Sequence, residues 1–188
     1  MENLYFFGLS QQQWDFINGF ANWISAIGTV AAVIVSLYLA LGATRPKAKL
    51  SVGVRVMITP GQKGTDTELV VIRLVNLGDR PIHVTGIGWK VGFWKKRYAL
   101  QVVSPTPYSQ GIPVTLEHGK EAQWHIPTDY QEGWFKYFSN GFLKGLSERE
   151  MNTLRIIAYA STGHEFVEKP EKALITALVN AKNSVSDS

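Results

Sequence analysis

The side chains most able to do chemistry in this chain are its histidines, and their spacing indicates neither catalysis nor metal binding. The four are His83, His118, His125 and His164. None of them shows the paired spacing of zinc ligands or of a metalloprotease helix. There is no Cys and no Gly-x-Ser-x-Gly nucleophile motif,. The acid pairs Glu117/Glu121 and Glu148/Glu150 are predicted in polar turns, where a carboxylate is hydrated and has no special reactivity. We therefore expect no enzyme, no cofactor and no metal.

The segment from Gly86 to Gly92 has the glycine content of a phosphate-binding loop. The spacing of its last glycine does not fit such a loop. No helix begins after it, so no helix N-terminus is predicted there to bind a phosphate,. Glycines that make room for a large neighbour such as Trp89 within a strand explain the pattern better.

One group of side chains does suit a ligand. Four cations (Lys90, Lys95, Lys96, Arg97) alternate with four aromatic residues (Trp89, Phe93, Trp94, Tyr98). Such a cluster fits an anionic-lipid contact or a ligand platform, because cations gain about 1 kcal/mol each near an anionic leaflet and aromatic faces stack ligands. The alternative, which we favour, is a charged hairpin tip whose aromatic side chains turn into the core. Trp94, Lys95, Lys96 and Arg97 are the candidate ligand or lipid patch.

The longest uncharged stretch precedes that cluster and runs from Phe16 to Thr44 without one charged side chain or proline. A helix needs roughly 20 apolar residues to cross the ~30 Å hydrocarbon core of a bilayer. We interpret residues 16–44 as a transmembrane helix and its flank. The positions that mark the span are Trp23, Gly28, Ala32, Ser36 and Leu41. The alternative, a buried core helix, would need a larger domain than this chain supplies.

Charge indicates the orientation of the span. Residues 1–44 contain only Glu2 and Asp15 as charged groups, so all 19 Lys and Arg follow the span. Arg45, Lys47 and Lys49 come directly after it, and cations at a membrane exit are retained in the cytoplasm. We expect a single-pass inner-membrane protein whose N-terminus is outside and whose C-terminal domain is cytoplasmic. The absence of Cys agrees with a reducing compartment.

Small residues recur along one side of the span. They are Ala21, Ser25, Thr29, Ala32, Ser36 and Ala40. Such a stripe lets two helices approach closely and lets hydroxyl groups bond across the contact. Self-association through the span and the ordinary composition of a single span both explain the pattern, so both readings remain open.

After a basic linker at 45–49, the apolar residues no longer follow a helical period and instead recur at every second position, which is typical of half-buried strands. Predicted strands cover 50–58, 68–77, 82–92, 97–103, 114–116, 122–126, 153–160 and 165–168, and predicted helices cover 129–146 and 171–182. Short strands with turn signals between them favour an immunoglobulin-like β-sandwich at 50–182 with one or two peripheral helices. Residues 183–188 are predicted to be a disordered tail. The aromatic helix at 129–146 should cap the open end of the sandwich.

The corner from Asn76 to Pro81, Asn-Leu-Gly-Asp-Arg-Pro, and the strand Ile82–Trp89 after it resemble the N-x-G-x-x-P-hydrophobic corner of bacterial Ig-like domains. The apolar run from Trp23 to Ala32 is similar to the anchor of small single-span bacterial membrane proteins that carry such a domain. Leu116 to Glu121 resembles their L-x-x-G-E turn, with Lys120 and Glu121 displaced by one position. The resemblance implies a fold and a location, but no activity.

These features predict a membrane-anchored module that binds or scaffolds a partner at the inner membrane. The partners we expect are the bilayer, a protein and a second copy of the chain through the span, whereas no nucleic acid is expected. The alternative is a ligand-sensing effector whose spans oligomerise and disrupt the membrane. Residues 1–15 are a short N-terminal tail. Its start, MENLYFFG, resembles a viral-protease recognition sequence used in expression tags and carries no weight in the fold,.

Overall fold

A computed structural model describes residues 10–43, 45–58, 67–103, 108–129 and 133–186. The chain divides into two compact units, residues 1–45 and residues 46–188. The protease-like N-terminal octapeptide lies outside the described residues.

The described residues of the first unit contain one long helix, α1, which spans Gln11–Ala43. At 1.5 Å per residue its 33 residues extend about 50 Å,. It begins before the predicted span and takes in part of the predicted N-terminal tail, because nothing between Gln11 and Phe16 breaks a helix. It ends just before Pro46, whose ring disfavours helical backbone in the preceding residue. The helix is long and apolar enough to cross a membrane.

The described residues of the second unit form eight strands in two antiparallel sheets. The strands are β1 (Ala48–Met57), β2 (Thr67–Asn76), β3 (Ile82–Val91), β4 (Arg97–Leu100), β5 (Val114–Leu116), β6 (Glu121–Pro127), β7 (Arg155–Ala160) and β8 (Glu165–Glu168). The first sheet has the order β1-β2-β6, and the second has the order β4-β3-β7-β8 with β5 paired to β3. β1 begins at Ala48, so the linker is shorter than the predicted 45–49.

One core lies between the two sheets. Along β2 the alternate residues Val70, Ile72 and Leu74 are fully buried, as a half-buried strand requires,. They pack in the same cluster as Trp89 of β3 and Trp124 of β6. The strands alternate as the sequence predicts, and the two inner faces bury each other.

Helix α2 is shorter than predicted. It spans Trp134–Asn140 instead of 129–146: Gly141, with φ −91° and ψ −87°, departs from helical geometry after it, and Gly133, with φ +95°, precedes it. A residue with positive φ cannot continue a right-handed helix. The Trp134 and Phe138 rings stack with centroids 4.7 Å apart, and Phe138 meets Trp89 at 5.2 Å. The helix therefore packs on the core, as the capping interpretation predicts.

The described part of this unit also contains α3 (Glu148–Met151) and α4 (Lys172–Ser186). Glu148 and Glu150 thus lie on a helix and not in the predicted turn. α4 continues past the predicted end at residue 182, since no Gly or Pro interrupts residues 183–186. The predicted disordered tail is therefore wrong as far as Ser186.

The segment from Asn76 to Pro81, which we call the Asn76 corner, joins the two sheets. Asn76 is fully buried. Its amide Nδ2 donates to the carbonyls of Arg80 (2.8 Å) and Leu116 (2.9 Å), and its Oδ1 accepts from the Gly78 amide (2.9 Å). The Lys47 carbonyl accepts from the amides of Leu77 and Gly78. The motif that carried the family resemblance is therefore a hydrogen-bonded structural corner.

Candidate functional site

Among the residues of the folded unit that the structure describes, the loop between β3 and β4, together with Arg97, forms the most exposed aromatic and basic feature. We call Phe93–Arg97 the hairpin tip, and all five residues are exposed. Trp94 is 98% exposed, whereas Trp89, five residues earlier, is completely buried. The expectation that the aromatic side chains turn into the core is right for Trp89 and wrong for Phe93, Trp94 and Tyr98. For Phe93 and Trp94 the cause is that the chain leaves the sheet after Val91, whereas Tyr98 lies on the exposed face of β4.

The base of the tip is rigidly held. Gly92 has φ +108°, which L side chains rarely adopt, and a Cβ there would collide with the Lys95 carbonyl. Its amide donates to Thr153 Oγ1 at 2.8 Å, and that hydroxyl donates to the Glu150 carbonyl at 2.6 Å. The tip is therefore a preformed projection.

The charge around the tip is mainly positive. Arg97 Nη1 donates to the Lys144 carbonyl at 2.8 Å. Glu150 is the acidic group that faces Arg97, and hydrogen bonds from the Ser147 amide and hydroxyl, helped by Arg97 and Lys182, hold its carboxyl pKa below the ordinary value. Within the described part of the chain, Lys95 and Lys96 form no ion pair. Two cations at the tip are thus left for an external anion.

A second exposed feature, which sequence reasoning did not single out, runs along β4 and two residues past its end at Leu100. Tyr98, Leu100 and Val102 share one face, and Leu100 and Val102 are 77% and 84% exposed. We call these three residues the outer row. The Gln101 amide donates to the Ile87 carbonyl of β3. Backbone groups alternate in direction along a strand, so those of the odd-numbered residues bond to β3,. The backbone groups of the outer row, whose residues are even-numbered, therefore point to the free edge of the sheet. The period-two pattern of Tyr98, Leu100 and Val102 was the available signal.

Tyr159 of β7 lies on the same side of the sheet. A Cβ added to Gly88 would come within 3.0 Å of the Tyr159 ring, so the large neighbour that the β3 glycines accommodate is Tyr159 and not Trp89. Burial raises the pKa of the Tyr159 phenol, and Glu165 and Tyr98 add to the shift. Both Gly86 and Gly88 lie within β3, so the phosphate-loop reading is excluded.

The predicted span residues all lie on α1. Trp23, Gly28, Ala32, Ser36 and Leu41 are exposed along the helix. The Thr29 hydroxyl donates to the Ser25 carbonyl at 2.9 Å. The Thr29 hydroxyl proton is therefore used within α1, so Thr29 does not donate to a second helix.

The three flanking cations differ in setting. Arg45 follows the helix, Lys47 provides the carbonyl that closes the Asn76 corner, and Lys49 lies on β1 opposite Val75. All three side chains are exposed.

The histidines lie apart from one another. His83 Nδ1 is 2.7 Å from the Thr115 hydroxyl, His118 Nδ1 is 3.1 Å from the Gly78 carbonyl, and His164 meets Phe166 edge-on. The His125 amide donates to Ser109 Oγ at 3.2 Å. Among the described residues, no three His, Asp or Glu side chains converge as metal ligands.

No protein-family model matches this chain, and no curated protein matches it in sequence. Two solved structures are similar in part, the structural genomics target SoR45 and a Bordetella pertussis protein provisionally called ApaA. They are 11% and 13% identical, each covers 66% of this chain, and this chain covers 82% and 88% of theirs. Both TM-scores are 0.28, a level at which neither the fold nor the function of this chain follows from theirs.

Proposed function

We propose that this chain is a membrane-anchored binding module, in which α1 crosses the bilayer once and the folded unit recognises a protein partner beside it. The observation that carries the proposal is an exposed apolar helix joined to a separately packed domain. The 18-residue window of highest hydropathy in α1 averages 2.3, and none of it is buried. Burying apolar surface is worth about 25 cal/mol per Å², so such a helix requires an apolar surrounding.

The location of the domain follows from the distribution of charge. The short N-terminal segment has no cation, whereas Arg45, Lys47 and Lys49 follow the helix. The positive-inside rule therefore favours a cytoplasmic domain on a bacterial inner membrane. A reporter fused after Ser188 tests this orientation, and activity of a periplasm-only enzyme at that position would contradict it.

For the domain itself we propose an immunoglobulin-like sandwich. The strand orders β1-β2-β6 and β8-β7-β3-β4 support the proposal, because they correspond to A-B-E and G-F-C-C′ of that architecture, whereas the pairing of β5 with β3 departs from it,. Trp89 on β3 is fully buried, as is the tryptophan on strand C in such domains,. In this fold the sheets act as a scaffold, and loops and strand edges carry recognition.

The partner surface that we assign is the outer row together with the free edge of β4. Exposed apolar side chains beside unpaired backbone groups suit an extended segment of another protein, which would add main-chain bonds and bury the side chains. No chemical step is assigned to this surface, and the domain acts by binding.

Site-specific photo-crosslinking of the full chain in membranes tests this assignment. A photoreactive residue in place of Leu100 should give a defined protein adduct. The same residue in place of Val56, an exposed apolar position on the edge strand β1, should not give that adduct. Equal adducts at both positions would contradict the assigned surface.

A further inference from the structure

The hairpin tip has the chemistry of a lipid-contacting loop. Phe93 and Trp94 are exposed next to Lys95 and Lys96, and Trp94 makes almost no contact with the rest of the protein. Tryptophan is enriched at the membrane interface, because its ring is apolar and its N–H is polar. A projecting tip touches a flat surface first, whereas an extended peptide needs an edge or a groove.

Charge complementarity selects an anionic surface. The cations on and around the tip are Lys90, Lys95, Lys96, Arg97, Lys144 and Arg155; Lys90 pairs in register with Tyr98 and Arg155. Of these cations Arg97 faces an acidic group, Glu150, whose carboxylate already accepts two hydrogen bonds from Ser147. Each cation near an anionic leaflet gains about five-fold in binding, which corresponds to about 1 kcal/mol.

The covalent anchor makes the bilayer the nearest such surface. Four residues separate Ala43, the last of α1, from Ala48, the first of β1. Chain of that length reaches at most about 18 Å. A tether this short keeps the domain at the bilayer. Lys47 bonds to the Asn76 corner, at the opposite end of β3 from the tip, so the tip reaches lipid when β3 lies along the membrane surface.

We propose that the hairpin tip binds the headgroup region of an anionic bilayer, with Phe93 and Trp94 at the interface and Lys95 and Lys96 on lipid phosphates. This inference rests on the proposed function for the anchor and adds a second, reversible contact between the protein and the membrane. Because Gly92 and Thr153 hold the tip in place, little conformational entropy is lost when the contact forms.

The experiment uses the full chain in lipid nanodiscs. Since the chain has no Cys, one introduced cysteine takes a fluorophore at a single position. The tip label replaces Phe93 (F93C), and a control label replaces Thr176 (T176C), an exposed residue of α4. Quenching by brominated lipid is compared between discs with 30% phosphatidylglycerol and discs of phosphatidylcholine alone, which tests the lipid charge.

The tip label should be quenched in the anionic discs and much less in the neutral ones, and the control label in neither. The double variant Lys95→Gln/Lys96→Gln should lower the ratio of bound to free tip about 30-fold. The matched double variant Lys169→Gln/Lys172→Gln, which removes the same charge elsewhere, should leave the ratio unchanged.

A third label separates this inference from the proposed function. A label in place of Val33 (V33C) reports whether α1 lies in lipid. Quenching at position 33 without quenching at position 93 overturns the tip contact alone, and no quenching at position 33 overturns the anchor. If the fluorescence of the label at position 93 changes only when a cytosolic protein is added, the tip binds a protein partner. That result also overturns the lipid contact.

Discussion

At the start of strand β3, the Asn76 corner uses its polar groups internally, whereas at the end of the same strand the hairpin tip leaves its polar groups to solvent. The corner buries an amide whose two donors and one acceptor all have partners within the fold. The tip exposes an indole and two ammonium groups beyond a rigid base. The contrast teaches that the motif-like corner is a structural device and that the less regular tip is suited to binding. It also predicts where substitutions change stability and where they change only binding.

The largest expected effect is at the corner. Asn76→Ala removes the amide donors to the Arg80 and Leu116 carbonyls and one of the two acceptors of the Gly78 amide. It should lower the free energy of unfolding by about 2–4 kcal/mol. Denaturant unfolding of the full chain in detergent, followed by tryptophan fluorescence, measures this change. Asn180→Ala, at an exposed position of α4, is the control and should stay within about 0.5 kcal/mol. Equal effects would show that the corner is not structural.

The base of the tip should be the next most sensitive position. Gly92→Ala forces a side chain into positive φ and against the Lys95 carbonyl, at a cost of about 1–3 kcal/mol. Gly86→Ala in the neighbouring strand β3 is the comparison, because its Cβ would meet the Tyr159 ring at an ordinary 3.6 Å. The same unfolding assay reports both variants. A larger loss at Gly86 would contradict the proposed strain.

A smaller, pH-dependent effect is expected beside the tip. The pKa of the Glu150 carboxyl is lowered in the folded protein, so its stabilising contribution is complete above the unfolded value near 4.5. That contribution is lost as the pH falls through the lower folded value. The difference in unfolding midpoint between the wild type and Glu150→Gln should therefore shrink as the pH is lowered from 7 toward 3. A difference that stays constant with pH would contradict the assignment.

The smallest change in stability is expected at the exposed indole. Trp94→Ala should alter the free energy of unfolding by less than about 0.5 kcal/mol, since the ring packs against almost nothing. In anionic nanodiscs the same variant should lower quenching of a tip label. Tyr137→Ala, another exposed aromatic position, controls for loss of a surface ring and should leave quenching unchanged. A loss above about 1 kcal/mol at Trp94 would show that the tip packs on the fold.

Local patterns predicted most of the elements. The alternation in β2 and β3 and the turn residues between strands placed nearly every strand, because the side-chain period of a strand is visible in sequence. Helix α2 was predicted too long, since the spacing of Trp134, Phe138, Phe142 and Leu146 suits a helix that Gly133 and Gly141 do not allow. The outer row was missed, because an exposed and a buried apolar row look the same until the position of the second sheet is known.

The sequence by itself determined that residues 16–44 form one uncharged, apolar stretch with every cation after it, and that the remainder alternates as strands. The tertiary structure alone decided that Trp89 is buried and Trp94 exposed, that β4 lies at an edge, and that Asn76 has three internal partners. The physical reason is that period and charge are properties of neighbouring residues. Burial depends instead on which distant segments pack together, and the faces of the two sheets are defined only once β3 lies between β4 and β7.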